Sequence, residues 1–170
     1  MDEVGFWSER IRPNLTRCCQ MAGLRFHLER VENIVNDGTP DVDYVIDGVP
    51  GQIELKFSDT APVRDTSQVL GIGHGMRRSQ IIYASRRTWA GGRLWCLIGN
   101  QAATWLIDLR GMSPQEMDAL AVASAAGLRQ IASWHCAGRL GVTLPLALIE
   151  RLPSAHPRPL HPSQETAARR

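Results

Sequence analysis

Two short apolar runs, LWCLIG at 94–99 and TWLIDL at 104–109, limit the fold more than any other feature of this chain. Neither alternates between apolar and polar residues, and both are too short for buried helices, so they read as strands covered on both faces. Strands of that kind need a sheet with helices above and below it. Upstream, Arg25–Val31, Val42–Ile46 and Gln52–Phe57 also read as extended, and the turn formers Gly48-Val49-Pro50-Gly51 predict a hairpin joining the last two. Residues 4–22 place Phe6, Ile11, Leu15, Cys18 and Cys19 on one helical face, with Pro13 as a kink or break. Gln80–Ala90 has helical spacing at Ile81, Ile82, Ala84 and Trp89, and Gly91-Gly92 stops it. Ser113-Pro114-Gln115-Glu116 predicts a capped helix running to about Ser124, and Leu128–Cys136 predicts another. The order helix, three strands, helix, two strands, helices predicts an α/β fold, a mixed sheet of about five strands flanked by helices.

With 170 residues and 44% hydrophobic content, the chain is long enough for one core and one domain. The expected domain spans 1–152, with its core at 25–109 and C-terminal helices at 113–152. Residues 153–170 hold four of the ten prolines and no packing pattern, which predicts a tail without packed structure. A formal charge of +2 is compatible with a nucleic-acid partner but does not demand one. Cys18, Cys19, Cys96 and Cys136 show neither a CxxC pair nor zinc-like His/Cys spacing, which predicts reduced thiols in a cytoplasmic protein. The start, MDEVGFWSERIRPNL, lacks the apolar core of a signal peptide, and no run reaches membrane-spanning length. No membrane partner is expected.

The chemistry concentrates at IELK, residues 53–56. Lys56 is the only lysine in the chain, beside 18 arginines. Arginine stays protonated, whereas a lysine ammonium is compact and tunable. On a strand Glu54 and Lys56 share one face while Ile53, Leu55 and Phe57 take the other, and an acid and an amine on such a strand are costly to bury unless they bind something. A loop at Gly48–Gly51 pairs Asp47 with Gln52 and sets Asp41 opposite Ser58, on the same face but about 13 Å along from Glu54. A bend or bulge near Pro40 is then needed to bring Asp41 to the pair. Carboxylates are hard oxygen ligands suited to Mg²⁺, and a nearby lysine can orient water or balance charge on a phosphate.

Asp41 after Pro40, followed thirteen positions on by Glu54-Leu55-Lys56, resembles the PD-(D/E)xK signature of the restriction-endonuclease-like nuclease superfamily. With GTPD at 38–41, the hairpin, IELK, Gln80 opening a helix and Gly91-Gly92 before a strand, the chain most resembles the VRR-NUC and archaeal-type Holliday junction resolvase group, including phage-encoded members. The likeness covers about Glu29–Leu109. It implies a restriction-endonuclease-like sheet, Asp41 and Glu54 as metal-binding carboxylates, the Leu55 carbonyl as a further ligand, and Lys56 as the catalytic lysine. Gln80 matches the glutamine that positions the lysine or water; Gln68 lacks the helix and glycine pair that follow. An additional upstream carboxylate is Glu32, in the string RVEN, or Glu9 on the first helix, and both stay open.

The same likeness implies Mg²⁺, with Mn²⁺ able to substitute, a DNA substrate that is branched or duplex, a homodimer, and the cytoplasm, the host's for a phage-encoded member. Two other functions stay open, a sequence-specific restriction-type nuclease and a non-catalytic DNA-binding protein on the same fold. For single residues the plain alternatives also stand. Asp41 can be a turn residue after proline, and Glu54 with Lys56 a solvated pair. Arg77, Arg78, Arg86, Arg87 and Arg93 can meet phosphates or form a solvated helix face. The Gly71–Gly75 string reads as a connection, His135 as packing or surface, and Trp7, Trp89, Trp95, Trp105 and Trp134 as core.

Overall fold

Residues 3–21 form a continuous helical rod whose winding changes just ahead of its proline, in the order α1 (Glu3–Gly5), a π-helical segment (Phe6–Ile11) and α2 (Arg12–Met21). Pro13 has no N–H, and its ring would strike the carbonyl four residues back. Widening the preceding turns relieves that clash, and the Arg12 N–H reaches five residues back to the Trp7 carbonyl. The rod therefore bends its hydrogen bonding rather than breaking, and it buries Phe6, Trp7, Ile11, Leu15, Cys18 and Cys19 on one face. The computed structural model describes residues 1–31, 38–60, 64–70, 73–137 and 144–149. Glu32, Gly71, Ile72 and the expected tail at 153–170 lie outside these.

Beyond the rod come β1 (Phe26–Arg30), β2 (Val42–Ile46), β3 (Val49–Phe57), α3 (Arg78–Trp89), β4 (Leu94–Gly99) and β5 (Ala103–Asp108). They are followed by α4 (Pro114–Ala119), a 3₁₀ turn (Leu120–Val122), α5 (Ala125–Ile131), β6 (Trp134–Ala137) and α6 (Leu144–Ile149). The strands form a mixed sheet in the order β1-β2-β3-β4-β5-β6. Only β3 and β4 run parallel, joined by the crossover that carries α3. All other neighbours are antiparallel. The sheet has six strands rather than about five, because α5 ends at Ile131 and the next residues, expected to stay helical, pair with the open edge of β5. Trp134 packs there against the core, a contact that a local helical pattern cannot anticipate.

The β2–β3 hairpin corrects the expected loop. Ile46 pairs with Val49, so the turn is the two-residue Asp47-Gly48, with positive φ at both (47° and 80°). That is the primed geometry that Asp-Gly favours and that matches strand twist. Val42 consequently faces Ile53, not a residue near the end of β3.

Each sheet face carries its own core. Ile53, Leu55, Phe57, Trp95, Leu97 and Leu106 pack beneath the N-terminal rod. Leu94, Cys96, Ile98, Trp105 and Ile107 pack with Ile81 and Ala84 of α3 and with Met117, Leu120 and Leu128 beyond it. The predicted cap of α4 is formed, Ser113 Oγ accepting from the Glu116 N–H while the Glu116 carboxylate accepts from the Ser113 N–H. No two of the four cysteines form a disulfide. Among the described residues, no helix is long and apolar enough to cross a membrane.

Candidate active site

The site arises because β2 begins later than its partner ends. Val42 is paired with Ile53, yet β3 continues to Phe57, so its last four residues have no strand partner on the β2 side among the described residues. The N–H groups of Gln52 and Ser58 point the other way, to Arg93 and Gly99 carbonyls beside β4. Alternation therefore turns the amides of Leu55 and Phe57 into the gap. The Leu55 N–H donates to Asp41 Oδ2 at 2.8 Å, and Glu3 accepts from the Phe57 amide. A strand residue sends its carbonyl out on the same side as its N–H, so the Leu55 carbonyl leaves β3 between these two carboxylates.

On the face of β3 towards α3, Lys56 Nζ donates to Glu54 Oε1 at 2.7 Å and lies 3.6 Å from Glu3 Oε1. Gln80 Nε2 donates to the same Glu54 oxygen. Its Oε1 accepts from the Arg77 N–H at 2.8 Å, and because a backbone amide only donates, that bond fixes which end of the Gln80 amide faces Glu54. Gln80 thus closes the first turn of α3 and ties it to the sheet. Farther along the face, Tyr83 donates to Gln52, which donates to Asp43.

The register thus removes the expected gap: Asp41, next to the Val42–Ile53 pair, sits at the level of Glu54, with no bulge needed. The structure brings Asp41, Glu54, Leu55, Lys56 and Gln80 together. It corrects their setting, however, since Glu54 is 1% and Lys56 5% exposed, not a solvated pair. It also supplies a carboxylate that the sequence reading passed over. Glu3 reaches Lys56, whereas Glu9 is exposed on the π-helical segment. The signal was there: Glu3 lies three and four residues ahead of Phe6 and Trp7, on the helix face that both bury.

Gly38 holds this constellation closed. It has φ +100°, and a Cβ there would stand 2.5 Å from the Ser79 carbonyl oxygen and 3.1 Å from the Gln80 nitrogen. Only a residue without a side chain lets the segment leading to Asp41 lie against the start of α3. Gln68 is engaged elsewhere, in an isolated bridge with Ser124.

Burial pushes the Glu54 carboxyl up to about 8; the Lys56 ammonium opposes this, while the charges of Asp41 and Glu3 add to it. For Lys56, burial pulls downward, but Glu54 and Glu3 outweigh it and hold the amine above its ordinary value. Glu3 is raised, by burial first, with Lys56 opposing and Asp41 adding. Cys96, paired beside Glu54, is pushed up by burial and stays a neutral thiol.

Glu54 and Glu3 thus flank one ammonium, and Asp41 is close enough for its charge to raise both carboxyls, a crowding of acids that an added cation would relieve. Among the described residues, no group of three or more His, Cys, Asp and Glu is placed to hold a metal ion by itself. Mg²⁺ needs less, one or two carboxylates with waters and substrate oxygens completing its shell. Asp41, Glu54 and the Leu55 carbonyl fit that donor set. They do not fit an all-protein cage.

Of the tryptophans expected in the core, Trp7, Trp95 and Trp105 are buried and Trp134 is half-buried, but Trp89, in the last turn of α3, is 53% exposed. His135 packs on Trp105, with ring centroids 5.5 Å apart. No family model matches the chain, and no curated protein matches it significantly.

Proposed function

We propose that this chain is a metal-dependent endonuclease that hydrolyses DNA phosphodiester bonds, acting on branched DNA. The observation that carries the reading is the hairpin register, which sets Asp41 level with Glu54 and Lys56 where β3 runs past the end of β2. Asp41, Glu54 and the Leu55 carbonyl would hold Mg²⁺ or Mn²⁺, with Glu3 facing them across Lys56. Such an ion supplies a Lewis acid for the phosphate and lowers the pKa of bound water.

Lys56 keeps its proton in this acidic setting, so it serves as a hydrogen-bond donor and positive charge rather than as a base. It orients the attacking water or holds a phosphate oxygen as charge builds on phosphorus. Gln80 holds Glu54 in place and leaves that carboxylate's other oxygen to face the ion. Symmetric cutting of a junction calls for two copies, one active site for each strand, and the working species is accordingly a homodimer in the cytoplasm.

The test incubates purified protein with labelled four-way junction, flap and linear duplex in Mg²⁺, Mn²⁺, Ca²⁺ or EDTA. Cleavage with Mg²⁺ or Mn²⁺, absent in Asp41→Asn while DNA binding persists, is the expected result. No cleavage of any substrate overturns the reading, and DNA binding in EDTA without cleavage in any metal identifies a non-catalytic binder.

A further inference from the structure

Between Asp65 and Asp108 the chain holds five arginines, Arg77, Arg78, Arg86, Arg87 and Arg93, and no acid. That stretch carries +5 against a formal +2 for the whole chain, which leaves −3 for everything else. The charge is therefore segregated, and α3 is its centre. On this helix Gln80, Ile81 and Ala84 are buried against the sheet. At 3.6 residues per turn, Arg78, Ile82, Arg86 and Trp89 fall within about 80° of one another on the opposite side. All four are exposed, Ile82 by 44% and Trp89 by 53%.

A solvated helix face does not need an indole and an isoleucine in line with its arginines. A protein surface built for a duplex backbone needs only the charge. An aromatic face alternating with cations is instead what a strand with unpaired bases requires, since every base offers a face to stack on and each phosphate a charge to hold. The helix also joins this surface to the site, because Gln80, two residues beyond Arg78, touches Glu54. Trp89 stands nine residues farther on, about 13 Å along the axis at 1.5 Å per residue.

Resting on the nuclease reading, we propose that the outer face of α3 binds a single-stranded segment of the DNA substrate, with Trp89 stacking an unpaired base and Arg78 and Arg86 holding the phosphates that lead back towards Gln80. The preferred substrate is then a branched or flapped DNA that offers unpaired nucleotides beside the cut, rather than perfect duplex.

Binding in EDTA separates this proposal from cleavage. Full-length wild type and variants are titrated by anisotropy against a labelled short oligothymidylate and a blunt duplex. Trp89→Ala should weaken oligothymidylate binding by about 5- to 150-fold, the loss expected for one stacked base, and leave duplex binding unchanged. Trp89→Phe should recover most of the loss. Arg78→Glu and Arg86→Glu should each lower the salt dependence of oligothymidylate binding, by about 0.7 in the log–log slope.

Circular dichroism and melting confirm that each variant is folded, which a half-exposed position in the last turn permits. Oligothymidylate binding unaffected by Trp89→Ala, or lost equally for both ligands, overturns the proposal. So does a concentration-dependent dimer that Trp89→Ala or Ile82→Glu dissolves with DNA binding intact, since the face would then join two copies. A protein that cuts junctions while Trp89→Ala binds and cuts like wild type loses this proposal alone. One that neither binds nor cuts loses the nuclease reading as well.

Discussion

Glu54 should make the metal-free protein less stable as pH rises, the reverse of an ordinary carboxylate. Its folded value of about 8 lies above the 4.5 of an unperturbed glutamate, so the unfolded chain releases this proton first. The contribution to stability is complete below about pH 4.5 and is lost progressively as pH climbs to about 8. Each unit of separation corresponds to about 1.4 kcal/mol, so the full loss is of the order of a few kcal/mol and at most about 5. The group is 1% exposed, which leaves no solvent screening to discount.

Urea denaturation in chelator, at steps across that window, measures the slope directly. Glu54→Gln keeps the shape but removes the titration, so its stability should vary far less over the same range. Asp2 and Asp59 are shifted downward and titrate below the window, whereas Glu3, raised, adds a slope of the same sign and His135, lowered, one of the opposite sign, so it is the difference between wild type and Glu54→Gln that isolates this group. A Glu54→Gln profile with the wild-type slope refutes the electrostatic account of the site.

Other expectations follow from the same geometry. Lys56→Arg should be nearly as inactive in cleavage as Lys56→Ala and about 1–3 kcal/mol less stable by urea denaturation, because a planar, larger cation overfills a buried slot between Glu54 and Glu3. Glu3→Gln should raise the Mg²⁺ concentration needed for half-maximal cleavage while Glu9→Gln titrates like wild type; the opposite pattern would assign the role to Glu9. Gly38→Ala should lower stability by about 1–3 kcal/mol and reduce cleavage, since it forces a Cβ against the Ser79 carbonyl at a positive φ; a wild-type melting curve for this variant would refute the close contact.

The parts of the fold that the sequence exposes are those governed by local patterns. The buried strands β4 and β5, the stop of α3 at Gly91, with φ +86°, and the Ser113 cap are all local matters of apolar runs and turn chemistry. Asp47-Gly48 is equally local, but the string Gly48-Val49-Pro50-Gly51 overlaps it and points to a longer loop, which shifts the register. One consequence was an apparent separation of about 13 Å between Asp41 and Glu54, which exists only in the wrong register. Other features depended on tertiary contact. β6 exists because β5 offers an edge, and Glu3 belongs to the site because the rod crosses the end of β3. The exposure of Trp89 likewise follows from which side of α3 meets the sheet.

The setting of Lys56 also bears on why it is the only lysine. Five of the seven buried polar residues among the described ones, Gln52, Glu54, Lys56, Ser58 and Gln80, belong to one face of β3 and the helix facing it. A buried ion pair is weak support for a fold, because well-packed apolar side chains of similar volume usually serve stability as well or better. On the other face of the same strand, Ile53, Leu55 and Phe57 show that β3 buries aliphatic and aromatic groups without difficulty. A stability requirement would have placed such groups on both faces. The chain instead concentrates its buried charge where a strand edge lies open, with two carboxylates on the free amides and a carbonyl between them. Arginines elsewhere use a planar fork with a fixed charge, as Arg10 does at the Asn100 carbonyl and Arg110 at the Asp108 carboxylate. At position 56 a single compact ammonium must fit between Glu54 and Glu3, within reach of whatever enters the gap, and only lysine has both the charge and the shape.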